Sequence, residues 1–64
     1  MTHYRYFVSY RFPEGYGRCE ITRTSPVETM EDIEAMEKTI SEHNGHSVSI
    51  DNFFIMKQWK DEYE

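Results

Sequence analysis

One cysteine, Cys19, is too few for an internal disulfide, and two prolines and three glycines leave a 64-residue chain little material for long loops. The longest apolar run, Phe53-Phe54-Ile55-Met56, falls far short of the ~20 residues that cross a bilayer. The opening Met-Thr-His-Tyr-Arg-Tyr has no unbroken apolar stretch of the secretory kind, so no membrane association is expected. A lone thiol then fits a reducing, cytoplasmic setting. Bases are scarce as well: 7 Lys and Arg against 12 Asp and Glu leave a net charge of −5, which opposes recruitment of a polyanion. The length excludes a two-domain cleft and a full dinucleotide-binding fold, and it predicts one domain over 1–64.

Chemistry-bearing patterns are thin too. There is no Ser/His/Asp grouping, no phosphate loop, and no carboxylate pair that stands apart from surface charge. His43-Asn44-Gly45-His46 sets two imidazoles three positions apart, but zinc takes three or four ligands of matched geometry, and neither His3 nor Cys19 has a supporting spacing. His43 reads as a cap for the last carbonyls of a helix, and Cys19 as a small strand residue. No enzyme, metal or cofactor is expected.

What the chain does have is aromatic bulk, 16% of residues, enough burial to set it apart from disordered segments. Tyr4, Tyr6, Val8, Tyr10 and Phe12 alternate with Arg5, Phe7, Ser9 and Arg11, which predicts a strand over 4–12. Pro13-Glu14-Gly15-Tyr16-Gly17 reads as a five-residue hairpin loop, and alternation resumes over 18–24 around Cys19 and Ile21. Two capping boxes compete, Ser25 with Glu28 and Thr29 with Asp32. The stripe Met30, Ile33, Met36, Ile40 favours Thr29, giving a helix over 30–43 that stops at Asn44-Gly45. A last strand is expected over 46–57, followed by a polar, fraying tail over 58–64.

The order β-β-α-β predicts an α+β domain: a three-stranded antiparallel sheet with one helix packed on one face. A sheet order of 2-1-3 is preferred to 1-2-3, because the first strand is the most continuously apolar. The strings Tyr6-Phe7-Val8-Ser9-Tyr10, Gly17-Arg18-Cys19-Glu20-Ile21, Asp32-Ile33-Glu34-Ala35-Met36-Glu37 and Val48-Ser49-Ile50-Asp51-Asn52-Phe53-Phe54-Ile55-Met56 span most of the chain. Together they resemble small uncharacterised phage and prophage proteins of Gram-positive bacteria. That resemblance implies no catalytic residues; it implies action by binding and blocking a host protein.

Charge is segregated along the chain. Residues 1–25 hold four Arg against two Glu, whereas residues 26–50 hold six acids against Lys38 alone. Glu31, Glu34 and Glu37 form a carboxylate row that is either a solvated helix face or a surface docking on a basic partner. If Tyr6, Val8 and Tyr10 meet the helix, then Phe7, Phe53 and Ile55 point the other way with Trp59, flanked by Arg5 and Arg11. One helix cannot cover both faces of a sheet, and a large apolar patch is rarely left wet in a monomer. The alternative is a bulge near Asp51-Asn52 that turns Phe53 inward and Phe54 out. The expectation is therefore a protein-binding module that forms a homodimer, sheet on sheet or edge on edge; the resemblance implies that it meets a host protein target as a modulator or inhibitor. A nucleic-acid- or nucleotide-binding sheet and a self-assembling structural accessory are the alternatives.

Overall fold

The computed structural model describes residues 1–61. Strand β1 (Thr2–Phe12) is followed by β2 (Gly15–Arg23), helix α1 (Met30–Asn44) and β3 (Ser49–Lys60). The sheet order is β2-β1-β3, and both pairings are antiparallel. Tyr6, Val8 and Tyr10 of β1 are buried against Met36 and Ile40 of α1 and Val48 ahead of β3, so the core lies wholly between the helix and one sheet face. Met30, expected in the apolar stripe, is 68% exposed because it opens the helix beyond that packed zone.

Two tyrosine hydroxyls pin the helix over the sheet. Tyr6 Oη accepts the Val27 amide at 2.8 Å just before the helix, and Tyr10 Oη accepts Asn44 Nδ2 at 3.4 Å at its end. The helix starts at the Thr29 capping box: Thr29 Oγ1 accepts the Asp32 amide, and the Asp32 carboxylate accepts the Thr29 amide. It stops at Gly45, in the left-handed region at φ 79°, whose amide donates to the Ser41 carbonyl at 2.8 Å. Asn44 Nδ2, rather than His43, bonds the late Ile40 carbonyl at 3.0 Å; it is the short amide on the packed side of the helix that reaches it.

The hairpin connection is two residues, not five. Phe12 pairs with Gly15, leaving Pro13-Glu14 as the turn, with Pro13 held at negative φ by its ring. The glycines that suggested a loop lie in the strand, and Gly17 is needed there. A Cβ on it would stand 2.7 Å from the Tyr10 hydroxyl oxygen, so the bare backbone makes room for that ring. Strand β3 begins at Ser49 instead of 46 and runs on through Lys60, into the segment expected to fray. It persists because β1 also starts early, at Thr2, and supplies partners: Thr2 pairs with Lys60, His3 with Trp59 and Tyr4 with Gln58. His3 Nε2 to Asp61 Oδ2, 2.7 Å, clamps that end. Residues 62–64 of the expected tail lie outside the described residues. Among the described residues no helix is long and apolar enough to cross a membrane.

Candidate interaction surface

Two irregularities in β3 decide which side chains face away from the helix. The pairing shifts between Ser9 and Tyr10 and again between Arg5 and Tyr6, so β3 carries two extra residues, Asp51 and Met56. Each extra residue inverts the in-out alternation of the strand beyond it. Before the first bulge Ile50 lies opposite Tyr10 on the helix side. After it Phe53 lies opposite Val8 and Ile55 opposite Tyr6, on that same side; after the second, Lys57 and Trp59 lie opposite Arg5 and His3 on the open side.

Phe53 and Ile55 are thus not on the open face with Phe7, because uninterrupted alternation fails between the bulges. Phe53 is half-buried and meets Tyr6 edge-on, ring centres 6.0 Å apart. Ile55 sits on the helix side yet is 47% exposed. Phe54 takes the open position instead. It stacks on Phe7 with ring centres 5.0 Å apart at 27° and stays 56% exposed.

Trp59 does reach the open face. Its ring stacks on His3 at 5.2 Å, with the Arg5 guanidinium 5.2 Å and the Lys57 ammonium 5.3 Å from its centre. Arg5 also lies 3.9 Å from Glu20, and Arg11 lies 3.3 Å from the bulge residue Asp51. Arg18 stands beside Ser9, and Tyr16, 86% exposed, beside Arg11. The open face therefore has an aromatic line, Phe7, Phe54 and Trp59, among four cations (Arg5, Arg11, Arg18, Lys57) and three acids (Glu20, Asp51, Asp61). Locally it is positive, in a chain of net charge −5.

The opposite flank is acidic but narrower than the sequence pattern implies. Glu31 and Glu34 are exposed on the outer side of α1. Glu37 is not: its Oε2 accepts the Ile50 amide at 2.7 Å. Helical spacing puts it on the packed side with Ile33, Met36 and Ile40, where it takes a donor at the first bulge. At the helix start the Glu28 amide leads in holding the Asp32 carboxyl down to about 2, helped by the Thr29 amide and hydroxyl and by Arg23, while burial opposes them. Burial pushes the half-buried Cys19 thiol up. Among the described residues no group of three or more His, Cys, Asp or Glu is placed to hold a metal ion.

The less favoured alternative, a bulge near Asp51-Asn52 that turns Phe53 inward and Phe54 out, is what the structure has, and Lys57 is an open-face residue that sequence reasoning missed. The signal for that bulge was the pair Asp51-Asn52, two strand-averse residues inside an otherwise apolar strand. Asn52 serves the bulge directly: its Oδ1 accepts the Phe53 amide at 2.8 Å and its carbonyl accepts the Ser9 hydroxyl at 3.3 Å. No family model matches the chain, and neither a curated protein nor a solved structure has significant similarity to it.

Proposed function

We propose that this protein is a stoichiometric protein-binding module whose open sheet face docks on an apolar-centred, acidic-rimmed surface of a partner protein. One observation carries the reading: the helix covers one face, and the other presents stacked Phe7 and Phe54 and the Trp59 cluster among charges in which cations outnumber acids. Aromatic anchors with Arg at their edge are the composition of interface centres. The cations select an acidic rim on the partner. The resemblance to small phage proteins supports a host or defence protein in the bacterial cytoplasm as the partner class, blocked by occupancy and not by catalysis.

The same aromatics and cations favour a second reading, stacking of single-stranded nucleic acid. The net charge of −5 weighs against it, since the field that recruits a polyanion is that of the whole molecule. Affinity capture with wild type, Phe54→Asp and Glu34→Gln baits, beside titration of a labelled oligothymidylate at two salt concentrations, separates the readings. Expected is a protein that is captured by wild type and Glu34→Gln, is lost with Phe54→Asp, and re-forms the complex when purified. Capture indifferent to Phe54→Asp refutes the face. Salt-sensitive oligonucleotide binding without a protein partner moves the assignment to nucleic acid.

A further inference from the structure

The two edges of the sheet are treated differently. At the β3 edge the Ile50 amide is bonded by Glu37 Oε2 and the Phe53 amide by Asn52 Oδ1, so side chains of this chain occupy edge donors. At the β2 edge, among the described residues, no side chain or turn bonds the backbone of Gly15–Arg23, whose only ladder is with β1. The two-residue turn makes Phe12 and Gly15 the hydrogen-bonding pair closest to it, so Tyr16, Arg18, Glu20 and Thr22 aim their amides and carbonyls outward. An unblocked edge is a template for another strand.

The β2 sequence is complementary to itself in one register. Turned about a two-fold axis at Cys19 and laid antiparallel, Arg18 faces Glu20 twice, Tyr16 faces Thr22 twice, and Ile21 faces Gly17 twice. A slip of two residues either way puts Arg18 opposite Arg18 or Glu20 opposite Glu20, and a slip of one mismatches the faces. The helix-side surface next to this edge is an open depression of about 470 Å³, lined by Cys19, Ile21, Ile40 and Asn44 among others. The apolar Ile21 of a second copy would enter it beside Gly17.

We propose that the protein dimerises through antiparallel β2–β2 pairing centred on Cys19, forming one continuous six-stranded sheet with both helices on the same side. The occupant of the edge is a second copy because the charge order of the strand matches its own reverse. This goes beyond the open-face reading and stands without it. Pairing doubles that face, with the two Phe7–Phe54 stacks related by the axis.

Sedimentation and native mass spectrometry of Arg18→Glu, of Glu20→Arg and of their equimolar mixture test it, with circular dichroism confirming that each variant folds. The wild type is expected to be a dimer. Each variant alone sets like charges opposite and associates about tenfold or more weakly. The mixture recovers the dimer as a heterodimer, since the two acids of the Arg18→Glu strand then face the two bases of the Glu20→Arg strand. A monomeric wild type, variants that dimerise unimpaired, or a mixture that stays monomeric each overturns the proposal. Copper-phenanthroline oxidation gives a second readout. The opposed Cys19 residues would sit within disulfide reach, so a dimer that resists this cross-link overturns the register.

Discussion

Adjacent phenylalanines in β3 are predicted to answer to different assays, because the bulge at Asp51 sends Phe53 to the helix side and Phe54 to the open side. A chain of 64 residues has a stability of about 3–10 kcal/mol, so differences of one or two are readable. Truncating a fully buried Phe to Ala costs ~3–5 kcal/mol. Phe53 is half-buried and touches Tyr6 edge-on, so Phe53→Ala is expected to cost about 2 kcal/mol. Phe54 is 56% exposed and has mainly its stack on Phe7 to lose, so Phe54→Ala is expected to cost about 0.5–1 kcal/mol. At ~4–8 °C per kcal/mol for a domain this small, Tm falls by about 8–16 °C in the first variant and about 2–8 °C in the second. Thermal unfolding followed by far-ultraviolet circular dichroism, repeated in urea, measures both. Partner capture well below Tm should show the reverse order, intact with Phe53→Ala and weakened with Phe54→Ala. If Phe54→Ala proves the more destabilising, the alternation is not inverted at Asp51 and the open face has been assigned wrongly.

Gly17→Ala places a Cβ 2.7 Å from the Tyr10 hydroxyl oxygen and 2.8 Å from its Cζ. Tyr10 is buried, so its ring has to shift, and a loss of about 1–3 kcal/mol is expected in urea unfolding; unchanged stability would show that the ring is not confined there. Asp32 titrates at about 2 instead of 3.8, so its ionised form is favoured by folding. That stability is present above its ordinary pKa and is lost as pH falls from 3.8 toward 2. Asp32→Asn should flatten the fall in urea midpoint across that window and lower the midpoint at neutral pH; wild-type and variant profiles that run parallel would refute the role of the carboxylate.

The topology was legible because each element carries a local mark of its own. Five alternating apolar residues from Tyr4 to Phe12 identify the central strand, the Thr29–Asp32 box starts the helix, and Gly45 ends it. The hairpin length was not legible: Gly15 and Gly17 have a loop composition, and only the nearby Tyr10 ring explains a glycine within β2. The open face was half legible. Arg5, Phe7 and Arg11 come from alternation in an unbroken strand, and Trp59 came out right because two inversions cancel before it. Phe53 and Ile55 fall between the inversions, of which the first is marked by the strand-averse Asp51-Asn52 and the second, at Met56, by nothing in the composition. Glu37 was misplaced for a simpler reason. Its carboxylate was counted with the solvated row, although its position shares the helix face of Met36 and Ile40.

The bulges and the uneven edges belong to one design problem. A three-stranded layer with one helix has two faces and two edges, and this chain closes one face and blocks part of one edge. The buried tyrosines and Met36, Ile40 and Val48 close one face; Glu37 and Asn52 block edge donors on β3. Both blocking bonds are made at the first bulge, which also rotates Phe54 outward, so one irregularity both blunts an edge and equips the open face. Without it, the register from Ile50 would set Phe53 opposite Phe7 and Ile55 opposite Arg5 on the open face and bring Phe54 under the helix, so the bulge decides which phenylalanine meets Phe7 and keeps Ile55 off that face. An apolar stripe left open by chance would not be expected to combine a stacked aromatic pair, a tryptophan between two cations and a surplus of positive charge in an acidic chain. The open face is therefore read as kept for a partner rather than as core left uncovered.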